Sequence, residues 1–190
     1  LGVGLLLVAF PVAHGMVLTA LYMPVALMLV GLTLRGVAFE FRAKAGNATD
    51  KRRWDMAFAG GSALAALTQG WMLGRYVLGF AEGWGALAFA ALSAFGVAAA
   101  YAFIGACWLI WRTEGALQKR AVAWARTTLW VVAAGIVGVS LATPLASPRI
   151  MARWFEMPNF LLLAPLPLAT AALVIGPVSY THLRAHETEA

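Results

Sequence analysis

Charge is the scarcest commodity in this sequence. Of its 190 residues only 12% are Asp, Glu, Lys or Arg, whereas 62% are hydrophobic; soluble domains carry about a quarter charged residues. A water-soluble globular class is excluded on that ground. The single cysteine, Cys107, excludes an intrachain disulfide and a cysteine cluster, and its apolar surroundings suit packing as a small hydrophobe. Histidine is nearly as rare, with His14 alone inside the apolar part of the chain. A haem needs an axial ligand and a shaped pocket, and His14, expected at a helix end, reads as an interfacial imidazole instead. No phosphate-cradling loop and no paired-carboxylate motif is present. No catalytic residue, no metal ligand and no cofactor on this chain is expected.

What the sequence does contain is a series of apolar runs long enough to cross a bilayer. The expected fold is all-α: a polytopic transmembrane helix bundle over 1–177, with about six membrane segments, the first and last incomplete. The stretch 1–34 would span about 51 Å as one helix, too long for one crossing. A turn at His14-Gly15 is expected to divide it into a short first segment and a second over 18–41, with Pro24 kinking it or lying in its first turns. A polar loop follows over 43–53, then helices over 54–78 and 84–112 around a tight turn at 79–83. A polar connection over 113–126, which can itself remain helical, leads into a fifth helix ending near Thr143, where Pro144 and Pro148 stop it. A sixth run covers 159–175.

The net charge of +6 invites a nucleic-acid reading, but the basic residues lie in short loops between apolar runs, the positive-inside pattern. Nine of them (Arg42, Lys44, Lys51, Arg52, Arg53, Arg112, Lys119, Arg120, Arg126) flank two loops, against Arg149 and Arg153 after the fifth helix. This places loops 42–54 and 112–126 in the cytoplasm, with no nucleic-acid partner. Trp54, Trp111 and Trp124 then fall at the inner interface, and Trp84 and Trp154 at the outer one. Gly70 and Gly74, Gly60-Gly61 and the series Ala86, Ala90, Ala94, Ala98 mark close helix packing, extending to another subunit.

The last thirteen residues, 178–190, abandon the apolar pattern and hold His182 and His186. That i,i+4 spacing could hold a metal on a helix, but no third ligand is near. The segment is read as a non-native tail.

Two charged residues interrupt the end of the first long run. Arg35 and Glu40 lie in Leu34-Arg35-Gly36-Val37-Ala38-Phe39-Glu40-Phe41-Arg42. Charges at membrane depth are costly and mark function, unless they snorkel to the boundary. Snorkelling suits Arg42 and Lys44. Arg35 and Glu40 are about 140° apart around a helix and so share no face. A carboxylate near the mouth of a bundle is a candidate for proton uptake.

The same stretch resembles the signature of subunit II of the cytochrome bd-type quinol oxidases, of the cyanide-insensitive branch. Phe58-Ala59-Gly60-Gly61-Ser62, Gln69-Gly70, Trp108-Leu109-Ile110, Thr113-Glu114-Gly115, Thr143-Pro144-Leu145, Arg153-Trp154-Phe155 and Pro158-Asn159 continue the resemblance in order over about 1–177. The resemblance implies a bacterial cytoplasmic-membrane subunit without haem of its own. Its partner would be subunit I, which holds haems b and d and oxidises quinol from the membrane pool while reducing oxygen to water. It also implies a proton path through subunit II, with Glu40 and Arg35 at the family's acidic and arginine positions. The family's first helix, a Trp-Asp-Gly segment and the closing helices have no counterpart here, and Ala142 stands where Trp is expected. The chain is thus expected to be a fragment lacking both ends. A transporter or channel subunit is the alternative that embedded charges alone would suggest.

Overall fold

The computed structural model describes residues 8–146, together with isolated positions 4, 151, 152 and 156. Within them the chain forms four helices, α1 (Pro11–Lys44), α2 (Ala48–Val77), α3 (Trp84–Arg112) and α4 (Ala116–Ala146). Each packs on its neighbour in sequence: α1 on α2, α2 on α3 and α3 on α4. The sixth run, the segment 178–190 with its two histidines, and Trp154 lie outside the described residues.

The structure therefore supports an all-helical membrane protein, but not six segments. Three helices, α1, α3 and α4, are long and apolar enough to cross a membrane by length and composition. The turn expected at His14-Gly15 is absent, and α1 runs through it without a break. Pro11 takes the first helical turn, where its missing N–H costs nothing. A helical glycine costs only about 1 kcal/mol relative to alanine, too little to open a turn in an apolar run whose backbone groups would then lose their partners. Pro24 is likewise accommodated inside α1.

Other boundaries move as well. The polar loop expected over 43–53 shrinks to three residues because its acidic and basic groups are absorbed into the first turns of α2. Asp50 lies in that first turn, favourable to the helix dipole, and accepts from Asn47 and Arg53 at 3.3 and 3.4 Å. The expected stop at Pro144 also fails, since α4 continues to Ala146. Thr143 donates its hydroxyl to the Val139 carbonyl at 2.6 Å beside the proline, and the polar connection over 113–126 is mostly helical, as the start of α4. The α3 bounds agree with expectation.

α2 lies between α1 and α3 and is the helix that is not apolar enough to be a candidate span. Its buried residues are Gly61, Thr68, Gly70 and Gly74, which serve contact rather than hydrophobicity. A Cβ on Gly31 of α1 would lie 2.8 Å from the Gly61 carbonyl oxygen, and one on Gly61 would lie 2.7 Å from that of Gly31. On the other side, a Cβ on Gly70 would lie 2.6 Å from the Ala94 Cα, and one on Gly74 would lie 2.7 Å from the Ala90 Cα. The Gly70/Gly74 pair and the alanine series of α3 are thus two halves of one seam. They meet within the chain. Small residues permit this approach, and the gain is dispersion contact between backbones. Ser62 and Thr68 donate their hydroxyls to Phe58 and Leu64 carbonyls, each at 2.8 Å, so they fit the seam without unsatisfied groups.

Gly70→Val should destabilise the chain by about 1–3 kcal/mol through forced separation of α2 and α3. Gly60→Ala should be nearly neutral, because nothing lies within 4 Å of that position. Thermal melts of the detergent-extracted protein distinguish them; equal midpoints would contradict the seam.

Candidate functional site

α1 and α2 form an antiparallel hairpin around Ala45–Asn47, and the charged end of α1 lies beside the start of α2. The stripe of α1 that faces α2 runs through Gly31, Leu34, Ala38 and the last turn, with Ala38 wholly buried. Arg35 lies at the edge of this stripe. Its guanidinium carbon is 5.3 Å from the centre of the Phe58 ring, a cation–π contact across the hairpin. Further along, Phe41 stacks on Trp54 with ring centres 5.2 Å apart. Arg42 forms an ion pair with Asp55, donating from Nε to Oδ1 and from Nη2 to Oδ2.

Glu40 is two positions beyond Ala38 and so about 200° around the helix from the buried stripe. It is exposed, and it makes no hydrogen bond or ion pair among the described residues. Arg35 and Glu40 are therefore not brought together, in agreement with their spacing. One is tied to α2 and the other points away from it. α1 as a whole would measure about 51 Å, against about 30 Å of hydrocarbon, so its ends must tilt or protrude. The Phe41–Trp54 stack, next to Glu40, suits the interfacial level that aromatic rings favour.

Sequence reading missed the Arg42–Asp55 pair, treating Arg42 as a snorkelling side chain alone. A signal was available. Positions 42 and 55, 41 and 54, and 35 and 58 are near-mirror positions about a short loop, and a hairpin brings mirror positions together. Arg75 was likewise missed at the opposite end. It donates to the carbonyls of Ala81 at 2.6 Å and Phe80 at 3.3 Å. That holds Phe80 in a left-handed conformation (φ 62°), which a bulky residue rarely adopts. A basic group thus does reach the 79–83 turn, which the charge count had left without one.

Between α1, α2 and α3 lies a shallow groove of about 360 Å³, bordered by Leu21, Met72, Tyr76 and Val97. Its polar feature is the hydrogen bond from Tyr101 Oη to Gln69 Oε1 at 2.9 Å. His14 does not line this groove; it sits half-buried in the first turn of α1, whose N-cap is Phe10. Among the described residues no group of three or more His, Cys, Asp or Glu is gathered together. Cys107 is exposed on α3, a correction to its expected packing, because the buried face of that helix is filled by Phe89, Ser93 and four alanines.

A charged helix end on an apolar, small-residue bundle is compatible with several membrane functions. The order of motifs along the chain is decisive: the cytochrome bd terminal oxidase subunit II family matches residues 1–189. The chain belongs to that family. No curated protein and no solved structure matches it. As a cytochrome bd oxidase subunit II, it is a membrane-embedded subunit of a respiratory terminal oxidase. Arg35, Glu40 and Arg42 lie in the stretch that first suggested this family.

The hairpin contacts predict a graded response. Phe58→Leu should cost about 0.5–1 kcal/mol through loss of the Arg35 contact. Arg42→Asp should lower the thermal midpoint by opposing Asp55, and adding Asp55→Arg should restore it. Failure of the swapped pair to recover would mean that the ion pair is incidental.

Proposed function

We propose that this subunit partners the haem-bearing subunit I in oxidising quinol and reducing oxygen to water, and that Glu40 takes up protons from the cytoplasm for that reduction. The observation that carries the first part is the family match over residues 1–189. Support for the second is the isolation of Glu40. Every other charged side chain in its neighbourhood with a fixed contact, Arg35, Arg42 and Asp55, is engaged across the α1–α2 hairpin. Glu40 turns away from α2 and, like Lys44 one turn further on, makes no hydrogen bond or ion pair among the described residues.

An ionised carboxylate at the membrane boundary is kept charged by water, and deeper exposure to lipid or protein favours its protonated form. A carboxylate at a water-accessible boundary can accept a proton from one side and release it to the other. Arg35 lies about 7.5 Å further along the axis. Its guanidinium, restrained by Phe58, would keep water at that depth and extend the hydrated path inward. Haems b and d, held by the partner, would supply the electron transfer and oxygen chemistry. This chain would contribute proton delivery and a surface for assembly. The loops at 42–54 and 112–126 would face the cytoplasm of a bacterial inner membrane, as the positive-inside pattern supports. Because the small-residue seams are filled within the chain, the surface for subunit I would be formed by other, apolar faces.

The test uses the complete oxidase. Tagged subunit II should co-purify with a chain showing reduced-haem absorption; a colourless monomer with transport activity would favour a transporter or channel subunit. Glu40→Gln keeps the side chain's size but cannot exchange a proton. Quinol oxidation and proton uptake should fall by on the order of a hundredfold, the low end for a positioned proton-transfer group, with haem content retained. Glu40→Asp should lose less. Normal turnover and uptake in Glu40→Gln would make the residue an interfacial anchor, and loss of haem would assign it to assembly.

A further inference from the structure

The strongest feature outside the hairpin is at the far end of α3, where aromatic rings hold a cation that has no acceptor. Arg112 occupies the last turn of α3. Its guanidinium carbon lies 5.7 Å from the Trp108 ring centre and 5.6 Å from that of Trp111. The two indoles meet edge to face, with ring centres 5.2 Å apart, and are 57% and 73% exposed. Arg42, Arg53 and Arg75 already have oxygen partners in Asp55, Asp50 and two carbonyls, and Arg35 lies over the single ring of Phe58. Arg112 makes no hydrogen bond or ion pair among the described residues.

We propose that Arg112, Trp108 and Trp111 bind the phosphate of an anionic phospholipid at the rim of the membrane. The π faces hold the guanidinium while leaving its N–H edges free, the arrangement that suits two-pronged bonding to a phosphate. Indoles also favour the headgroup level, where such a phosphate would lie. The surrounding charge agrees in sign: Lys119 and Arg120 at the start of α4 add to Arg112, against the one nearby carboxylate of Glu114. Anionic lipids are attracted to basic clusters next to a span.

A free phosphate would need only the cation, but the site continues into the apolar span. Ile104, Trp108 and Trp111 follow one another at spacings of four and three, so they line one face of α3, and Ile104 is 62% exposed. An acyl chain can lie along Ile104 and Trp108 while its phosphate meets Arg112. That continuity selects a lipid over a soluble anion. The proposal rests on the membrane placement of α3 and is independent of the proton role given to Glu40.

The test is native mass spectrometry of the full oxidase complex released from nanodiscs of phosphatidylcholine mixed with phosphatidylglycerol. Haem absorption of the same sample monitors assembly separately. The wild-type complex should retain phosphatidylglycerol in preference to phosphatidylcholine. Arg112→Gln should lower that occupancy about tenfold, as loss of a charge-assisted bond would do. Arg112→Lys, which keeps the charge and the fold, should lose part of it, and Lys119→Gln little. Equal losses for Lys119→Gln and Arg112→Gln would reduce the effect to diffuse attraction and overturn the site. Unchanged occupancy in both Arg112 variants would do the same, as would displacement of the lipid by added inorganic phosphate.

Discussion

Close backbone contact through α2 is the constraint on which the arrangement depends. Gly31 meets Gly61 on one side, and Gly70 and Gly74 meet Ala90 and Ala94 on the other. In hydrocarbon the apolar surface of a helix gains little by leaving lipid for protein, so helices associate through dispersion contacts that grow as the backbones approach. α2 shows the consequence in its composition. It has exchanged large apolar side chains for glycine, serine, threonine and alanine, and it is the one helix of the four not apolar enough to qualify as a span. Its poverty in hydrophobicity and its central position have the same cause.

The polar groups follow from that arrangement. Hydroxyls of Ser62, Thr68 and Thr143 donate to carbonyls of their own helices, which satisfies them without an external partner. Longer polar side chains are placed where helices end or open. Arg75 closes the 79–83 turn, and Gln69 meets Tyr101 at the groove. The Arg42–Asp55 pair and the Phe41–Trp54 stack close the other end of the α1–α2 hairpin. With Gly31 and Gly61 fixing the axis, Ala38 is turned inward and Glu40 is necessarily turned outward. The candidate proton group thus owes its isolation to the helix packing.

Membership of the cytochrome bd oxidase subunit II family gives these features a common setting. A helix longer than the hydrocarbon, such as α1, carries charged residues at its end beyond an apolar body. The exposed apolar surface on α1, α3 and α4 is what a membrane and a partner subunit would cover.

The helical class, the membrane setting, the bounds of α3 and the packing role of Gly70 and Gly74 were determined by the sequence, because hydropathy and small-residue spacing are local properties. The family too was readable, since it rests on motifs in order along the chain. The separation of Arg35 from Glu40 followed from helical periodicity alone. The fate of His14-Gly15 and Pro144 did not, because each carries a local breaking tendency that the apolar surroundings override. Whether the alanines of α3 face α2 or another subunit was equally open, since a small-residue stripe states that something approaches but not what. The Arg42–Asp55 pair and the Arg35–Phe58 contact required the hairpin register. Only the tertiary structure decided them, because ion pairs and ring contacts depend on distances between helices, which no single helix contains.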